Sequence, residues 1–517
     1  MVNPPVKNIM LNRLIRRSVL GDSLSVRAPR RSLCGPGEFA KPACAKNGSD
    51  EKQRVMTDGG RFDVAIVGGG MVGLALACSL ASMPITRHLS VAIIDGNPAL
   101  VNGICIDKVK PPDPRVSTIT PATISMFKDM GAWECVLHHR HAYFDRMQVW
   151  DYTGLGYTRY SARDVNKEFL GCVVENKVLQ SSLLSCLQEN ADFSKTVFPS
   201  RLASMSSNEH SPMTGGNDFS SGTTSGDLAK LELSDGTYLS TKLVVGADGS
   251  KSLVRELAGF KTTGWNYSQN AVICTVEHDA ENWCAWQRFL PSGPIALLPI
   301  GDNYSNIVWT MKPNESVARK SMDEADFVKE ANHALDQGYG PRPTSGFPGS
   351  NDGIFSWLKT DSTPSANEKF ELPPKVVKLA SERMVFPLSL KHANNYVSKH
   401  VALVGDAAHT VHPLAGQGVN LGFGDALALS RVIGEAIAVG VDIGEVSMLR
   451  KYEAERKVAN LSMMAVLDGF QKLYKVDLGP LNILRAAAFS AAHYIPPLKR
   501  NIISFASGEQ QLPPLFT

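Results

Sequence analysis

The hydrophobic pattern of this chain is clearest in four short apolar runs that each break at a glycine or an acid. Asp63-Val-Ala-Ile-Val67 leads into Gly68, Val91-Ala-Ile-Ile94 ends at Asp95, Lys242-Leu-Val-Val245 precedes Gly246, and His400-Val-Ala-Leu-Val404 precedes Gly405. Apolar runs of this length, bounded by turn residues, predict strands buried on both faces, as in a parallel sheet. Met71 to Ala81 and Val419 to Ala428 predict helices that follow the first and last of them. Ala271–Val276, Ala285–Phe289, Ile295–Pro299 and Ser305–Trp309 are alternating or aromatic, and predict a mostly antiparallel sheet. Val446 to Leu473 has the spacing of one or two long helices, followed by apolar stretches at Leu481–Ser490 and Ile502–Phe505. Ser206–Asp227 and Gly338–Pro374, rich in Ser, Gly and Pro without apolar periodicity, read as mobile surface insertions.

This order predicts an α/β fold with a discontinuous nucleotide-binding domain over 61–264 and 385–475. A mostly antiparallel substrate domain is inserted at 265–384, a C-terminal tail covers 476–517, and a leader covers 1–60. In the first strand-turn-helix unit, Gly68 makes the tight turn, Gly70 lets backbone approach a pyrophosphate, and Gly73 lets helix lie close to sheet. Asp95, at the end of the second strand, is placed to accept from a ribose diol. The unit predicts an adenine dinucleotide without choosing between FAD and NAD.

Two later segments make that choice. Gly246-Ala-Asp-Gly-Ser-Lys-Ser-Leu-Val-Arg255 brings Asp248 and Gly249 to a turn, with Ser252 and Arg255 on one helical face. Gly405-Asp-Ala-Ala-His-Thr-Val-His-Pro-Leu-Ala-Gly-Gln-Gly-Val-Asn420 puts Asp406 at a strand end, where it can bond a ribityl hydroxyl. There the turn of Gly416, Gln417 and Gly418 opens a helix towards a flavin ring or its phosphates. With these three motifs the chain resembles the class A flavin monooxygenases, the aromatic hydroxylases of para-hydroxybenzoate hydroxylase type. Asp113–Pro121, Arg146–Asp151, Gly171–Asn176, Ala285–Pro299 and Gly405–Asp425 are similar to the branch that hydroxylates ubiquinone precursors in eukaryotic mitochondria, and the resemblance runs from Phe62 to Ser507.

The resemblance implies an FAD-binding, Rossmann-like domain carrying the inserted sheet, with Asn420 and the residues above holding the cofactor. It implies Pro413 along the flavin ring and Arg115 near the pyrophosphate or flavin. Reduced flavin activates oxygen, so the chemistry calls for no metal or nucleophilic serine, and no Gly-x-Ser-x-Gly elbow is present. His409 is a candidate acid or base, or a structural neighbour of the cofactor. His409 with His412, and His138, His139 and His141, lack the carboxylate or thiol set of a metal site. Trp283, Trp286 and Phe289 read as sheet packing before they read as a substrate cage.

The expected substrate is a polyprenylated 4-hydroxybenzoate-type phenol, hydroxylated with O2 at ring position five, its tail in a cavity lined by Ile295–Pro299. The expected electron donors are ferredoxin and ferredoxin reductase, and the expected partners other ubiquinone-synthesis enzymes in a complex. An NADPH-dependent hydroxylase of a small soluble phenol, and a non-catalytic flavin-bearing subunit of a lipid-synthesis complex, stay open as alternatives.

Composition adds location. Of 517 residues at net charge +3, residues 1–60 carry 11 Lys and Arg against 5 Asp and Glu, a surplus of six that leaves the remainder at −3. A basic groove for nucleic acid is therefore not expected. Leu11–Leu20 sets three arginines beside an apolar face and the first 37 residues hold one acid, Asp22, which reads as a mitochondrial transit peptide. Nine scattered cysteines without a Cys-x-x-Cys fit a reducing matrix. With no apolar run of 18, the expectation is peripheral association with the matrix side of the inner membrane, helped by the C-terminal tail.

Overall fold

The apolar runs assemble into one sheet in a computed structural model that describes residues 57–206, 228–343, 363–413, 416–475 and 479–509. Five strands run parallel in the spatial order Val401–Leu403, Thr237–Gly246, Thr57–Val67, Val91–Ile94 and Lys195–Phe198. Antiparallel strands at Val397–Ser398, Ala229–Leu233 and Leu202–Ser206 extend it. Val91–Ile94 is buried along its whole length. The helices Met71–Ser82 and Gln417–Ala438 pack against each other beside this sheet, and Asn176–Glu189 packs on the first. Gly422 makes that approach possible: a Cβ there would lie 2.7 Å from Val72 Cγ2 and 3.2 Å from Gly405 Cα.

A second, nine-stranded sheet runs His409–Thr410, Met384–Ala393, Thr262–His278, Tyr304–Met311, Gly293–Gly301, Cys284–Leu290, Arg146–Asp151 and Tyr157–Ser161, with Val376–Leu379 against Thr262–His278. All its pairings are antiparallel except Cys284–Leu290 with Arg146–Asp151. The sheet is wider than the segment 265–384, drawing in 146–161 and 409–410 from the flanking sequence. One face packs Val272, Ile295, Leu297 and Ile307 against Phe327 and Ala331 of the helix Glu324–Leu335. The fold is thus α/β with a Rossmann-like sheet and a mostly antiparallel second sheet. A third sheet, of three strands, orders Val116–Ile119, Gly171–Glu175 and His141–Phe144.

Three helices close the chain: Val446–Lys475, Gly479–Tyr494 and Pro496–Ala506. Among the described residues no helix is long and apolar enough to cross a membrane. Residues 1–56 of the basic leader, residues 207–227 and residues 344–362 lie outside the described residues, whereas residues 57–60, expected in the leader, open the strand Thr57–Val67. The segment 363–371, expected within a mobile insertion, is instead pinned to the second sheet. Gln148 exchanges hydrogen bonds with the Glu371 backbone (2.7 and 3.1 Å), and Arg159, 1% exposed, pairs with Glu368 and Glu371 at 3.1 Å each. These polar anchors leave no apolar period to read.

Candidate active site

Register brings the three distant motifs together. Val67 lies opposite Ile94 on one side and Gly246 on the other, and Gly246 lies opposite Leu403. The loops after four neighbouring parallel strands therefore leave the sheet in a row at its carboxyl end: Asp95, Gly68–Gly70, Ala247–Gly249 and Gly405–Asp406. In open α/β sheets this edge is where ligands bind.

The glycines along this row differ in what demands them. Gly68 has φ +108° and a Cβ there would meet Ala247 O at 2.3 Å, while a Cβ on Gly73 would meet Gly68 O at 2.0 Å. The protein itself requires both. Gly70, the N-cap of Met71–Ser82, has an ordinary φ of −72° and nothing within 4 Å of a Cβ. A glycine that neither backbone nor neighbours require is explained by a ligand that comes close to the chain. Gly249 is likewise open, with φ +81°.

The carboxylates around the row are partly engaged. Asp95 accepts from Gly69 N–H (2.7 Å) and Asn97 N–H (2.8 Å), one on each oxygen, leaving further acceptor capacity for a diol. Asp248 Oδ2 caps the short helix Leu253–Leu257 by accepting from Leu253 N–H (2.7 Å) and Val254 N–H (3.2 Å). Its other oxygen, Oδ1, is buried without a hydrogen-bond partner in the protein. An unmet buried acceptor costs about 1–3 kcal/mol, which a ligand hydroxyl would recover. Arg255 ties two motifs together, donating to Ala407 O (2.8 Å) and Ser250 O (2.9 Å). Asp406 is open to solvent but set low among protein atoms; the lost hydration raises its pKa, an effect His409 opposes. Three glycine turns, an unmet acceptor and an accessible carboxylate suit the dinucleotide half and the polyol of FAD.

The helix Gln417–Ala438 begins at Gly416, whose φ is +62° and whose Cβ would press on Thr118 at 2.9 Å. Gln417 and Gly418 form its first turn, at the positive end of a 22-residue helix. Asn420 spends its side chain inside the protein: it donates to Thr118 O (2.7 Å) and Gly416 O (3.0 Å) and accepts from Thr120 N–H (3.1 Å) and Thr123 Oγ1 (2.9 Å). It fixes the helix start against the strand Val116–Ile119. Arg115, at the head of that strand, is paired with Asp113 and 59% exposed. Pro413 precedes the turn, its carbonyl accepting from Gly416 N–H at 3.3 Å.

Below the Gly405 turn lies a charged cluster that the sequence reading did not assign. Asp425, fully buried, accepts from Gly405 N–H (3.0 Å), His409 Nε2 (2.5 Å), Arg456 Nε (2.8 Å) and Asn460 Nδ2 (3.1 Å). Burial alone would raise its pKa, but His409 and Arg456 outweigh that and bring it to about 2. His409 is itself 1% exposed and reaches the Gly405–Asp406 turn through Asp425, which also accepts from Gly405 N–H.

Beyond the turn, the chain joins the second sheet through His409–Thr410. The next histidine, His412, packs edge-on to Tyr267 (5.2 Å), and burial lowers its pKa to about 4 against an opposing pull from Asp468. Tyr267 donates to Asp468 Oδ1 at 2.8 Å. Immediately after Tyr267, Ser268 and Gln269 enter the wall of a cavity of about 420 Å³, completed by Phe289, Gly293, Pro294, Gln471 and Tyr474 among others. Phe289 stacks on Tyr474 at 3.7 Å, and Trp286 is packed in the sheet core, whereas Trp283 is 54% exposed. This cavity reaches the strand at its start, Gly293 and Pro294. Ile295 and Leu297 point to the opposite face, at 0% exposed under the helix Glu324–Leu335.

Comparison with known proteins agrees with this geometry. The FAD binding domain family matches residues 61–343 and 368–465. The ubiquinone biosynthesis monooxygenase COQ6, mitochondrial, of Xenopus tropicalis is 37% identical over 452 residues, covering 86% of this chain and 93% of the relative. That of Homo sapiens is 36% identical over 450 residues, covering 86% and 92%. Among solved structures, p-nitrophenol 4-monooxygenase of Pseudomonas putida superposes with a TM-score of 0.61 at 16% identity, covering 87% of this chain and 99% of that one.

Proposed function

Because this chain belongs to the FAD-binding monooxygenase family that contains the mitochondrial ubiquinone biosynthesis monooxygenases, we propose that it hydroxylates position five of the ring of a polyprenylated 4-hydroxybenzoate-type intermediate. It is an FAD-dependent monooxygenase of ubiquinone biosynthesis. The observation that carries the reading is the register that sets Asp95, Gly68–Gly70, Asp248 and Asp406 side by side at four strand ends.

Bound FAD, once reduced, supplies the activation of O2 and the transfer of one oxygen atom to an electron-rich ring. The residues bind and aim. Gly68, Gly70 and the first turn of Met71–Ser82 receive the pyrophosphate, Gly73 lets that helix approach, and Asp95 takes the adenosine ribose diol. Asp248, with Gly249 at its turn, and Asp406 accept from the remaining hydroxyls. The N–H groups of Gln417 and Gly418, at the turn Gly416 makes, would stabilise negative charge on the ring, with Asn420 holding the helix start in place. Pro413 flanks the ring, Arg115 sits at the outer end of the neighbouring strand, and the Phe289–Tyr474 wall holds the phenol and excludes water. His409 keeps the Gly405 turn in position through Asp425.

The electron donors in this reading are ferredoxin and ferredoxin reductase, and the protein works with other ubiquinone-synthesis enzymes on the matrix side of the inner membrane. Purified holoprotein supplied with ferredoxin, its reductase, NADPH, a prenylated phenol and heavy-isotope oxygen should give a product one labelled oxygen heavier. NADPH oxidation driven by a small soluble phenol without ferredoxin, and no labelled prenyl product, would overturn the reading.

A further inference from the structure

One wall of the cavity is built where a strand leaves its ladder to meet a helix. The strand Thr262–His278 pairs with Met384–Ala393 as far as Asn266 opposite Ser389, and resumes with Asn270 opposite Pro387. Four residue steps on one strand thus match two on the other, and this bulge brings Ser268 and Gln269 into the wall. Along the same stretch Trp265, Tyr267 and Gln269 meet the end of the helix Val446–Lys475. Lys472 Nζ lies over the Trp265 ring at 5.0 Å, Tyr267 donates to Asp468 at 2.8 Å, and Gln269 Oε1 accepts from Gln471 Nε2 at 2.9 Å. Gly293 makes room for the last pair, since a Cβ there would lie 3.0 Å from Gln269 Nε2.

The orientation of both amides follows from one backbone atom. Ser292 O can only accept, so Gln269 gives it Nε2 (2.7 Å) and keeps Oε1 for its neighbour. Gln471 must then bring Nε2 to Gln269, which leaves its own Oε1 without a partner among the described residues. Gln471 lines the cavity and is 8% exposed. The other polar groups of the wall are placed differently: Ser292 Oγ donates to Glu315 (3.1 Å), and Ser268, Lys312 and Asn314 are exposed. We propose that Gln471 is a specificity-determining residue of the ring hydroxylation. Its Oε1 accepts the hydrogen bond of the substrate's ring hydroxyl, and Gln269 is the positioning residue that keeps the amide from turning over. This assignment rests on the phenol of the proposed function and names the atom that meets it. A hydroxyl that donates to Oε1 becomes more electron-rich and passes that density to the ring carbons ortho to it; position five is ortho to the hydroxyl at position four. A ring whose hydroxyl is capped or missing leaves Oε1 desolvated with nothing to accept, so the cavity discriminates against it.

The test is calorimetric titration of the oxidised holoprotein, without reductant, with three ligands. They are a short-chain prenylated 4-hydroxybenzoate, its 4-methyl ether, which accepts a hydrogen bond but cannot donate one, and its 4-fluoro analogue, which fills the hydroxyl's space without a proton. The parent should bind the phenol roughly three- to tenfold more tightly than either of the others. Gln471→Leu should abolish the advantage over the fluoro analogue while leaving that analogue's own affinity within about twofold, and Gln269→Leu should reduce the advantage. Retained flavin absorbance certifies the fold of both variants, and the comparison of ligands on the parent stands even where a variant fails to fold. Equal affinity of the parent for phenol and ether, or an undiminished preference in either variant, would overturn the proposal while leaving the substrate assignment standing. No binding of any of the three ligands would overturn both.

Discussion

Gly70 and Gly73 belong to one loop but answer to different demands, and exchanging each for alanine separates the cofactor from the fold. At Gly73 a methyl group would lie 2.0 Å from Gly68 O, a backbone atom that cannot yield, so Gly73→Ala should destabilise the flavin-free protein as an overpacked core does, by about 1–3 kcal/mol. At Gly70 the methyl meets nothing within 4 Å and φ is −72°, so the backbone accepts alanine. The entropy lost from the unfolded chain stabilises by about 0.4–1 kcal/mol, and a poorer N-cap offsets a similar amount. Flavin-free Gly70→Ala should therefore unfold within about 1 kcal/mol of the parent. FAD affinity is another matter, since the methyl group would stand between the helix N–H groups and a charged pyrophosphate. Losing one such hydrogen bond, about 1.5–3 kcal/mol, weakens binding by roughly 10- to 150-fold. Denaturant unfolding after flavin removal, with FAD titration followed by fluorescence quenching, measures both. Parental FAD affinity in Gly70→Ala, or equal destabilisation of the flavin-free protein by both substitutions, would refute the argument.

The Asp425 cluster predicts a second separation. Asp425→Asn leaves Arg456 and His409 without their carboxylate, which should cost about 3–5 kcal/mol and weaken FAD binding through the Gly405 turn, read by calorimetry and flavin content. Because the folded pKa of Asp425 is depressed to about 2, its contribution is complete above about pH 4 and fades as pH falls from there through about 2, so parent and variant should converge in acid. Lys499 behaves in the opposite sense. Burial lowers its pKa to about 8, so the unfolded chain binds the extra proton between there and about 10.5. The stability of the parent relative to Lys499→Met should rise by about 3 kcal/mol across that window, and a flat difference in denaturant midpoints would show that Lys499 carries no such burden.

Four strands of the first sheet were legible because they are apolar runs that stop at a glycine or an acid, and their motifs announced the loops at their ends. What no local pattern could supply was register: only pairing sets Val67 beside Gly246 and Gly246 beside Leu403. The Asp425 cluster stayed hidden for a related reason. Asp425 ends the segment Gly405–Asp425, but Arg456 and Asn460 lie on another helix more than thirty residues later, so neither spacing nor periodicity links them. Ile295–Pro299 was correctly a strand, but period-two alternation does not say which face is the cavity, and Ile295 and Leu297 face the helix Glu324–Leu335. The helix Gly479–Tyr494 reads in sequence as an ordinary amphipathic helix, and its inward face mixes Phe489 and Ala492 with Arg485 and His493, which no apolar stripe announces.

We propose that ring hydroxylation in ubiquinone synthesis runs through a flavin held at these four strand ends. The most direct test is mass spectrometry of quinone intermediates in cells lacking the protein and rescued with the parent chain or with Asp406→Ala. An unhydroxylated prenylated phenol should accumulate and be cleared by the parent chain but not by Asp406→Ala. Normal quinone levels without the protein, or full rescue by the variant, would contradict the account.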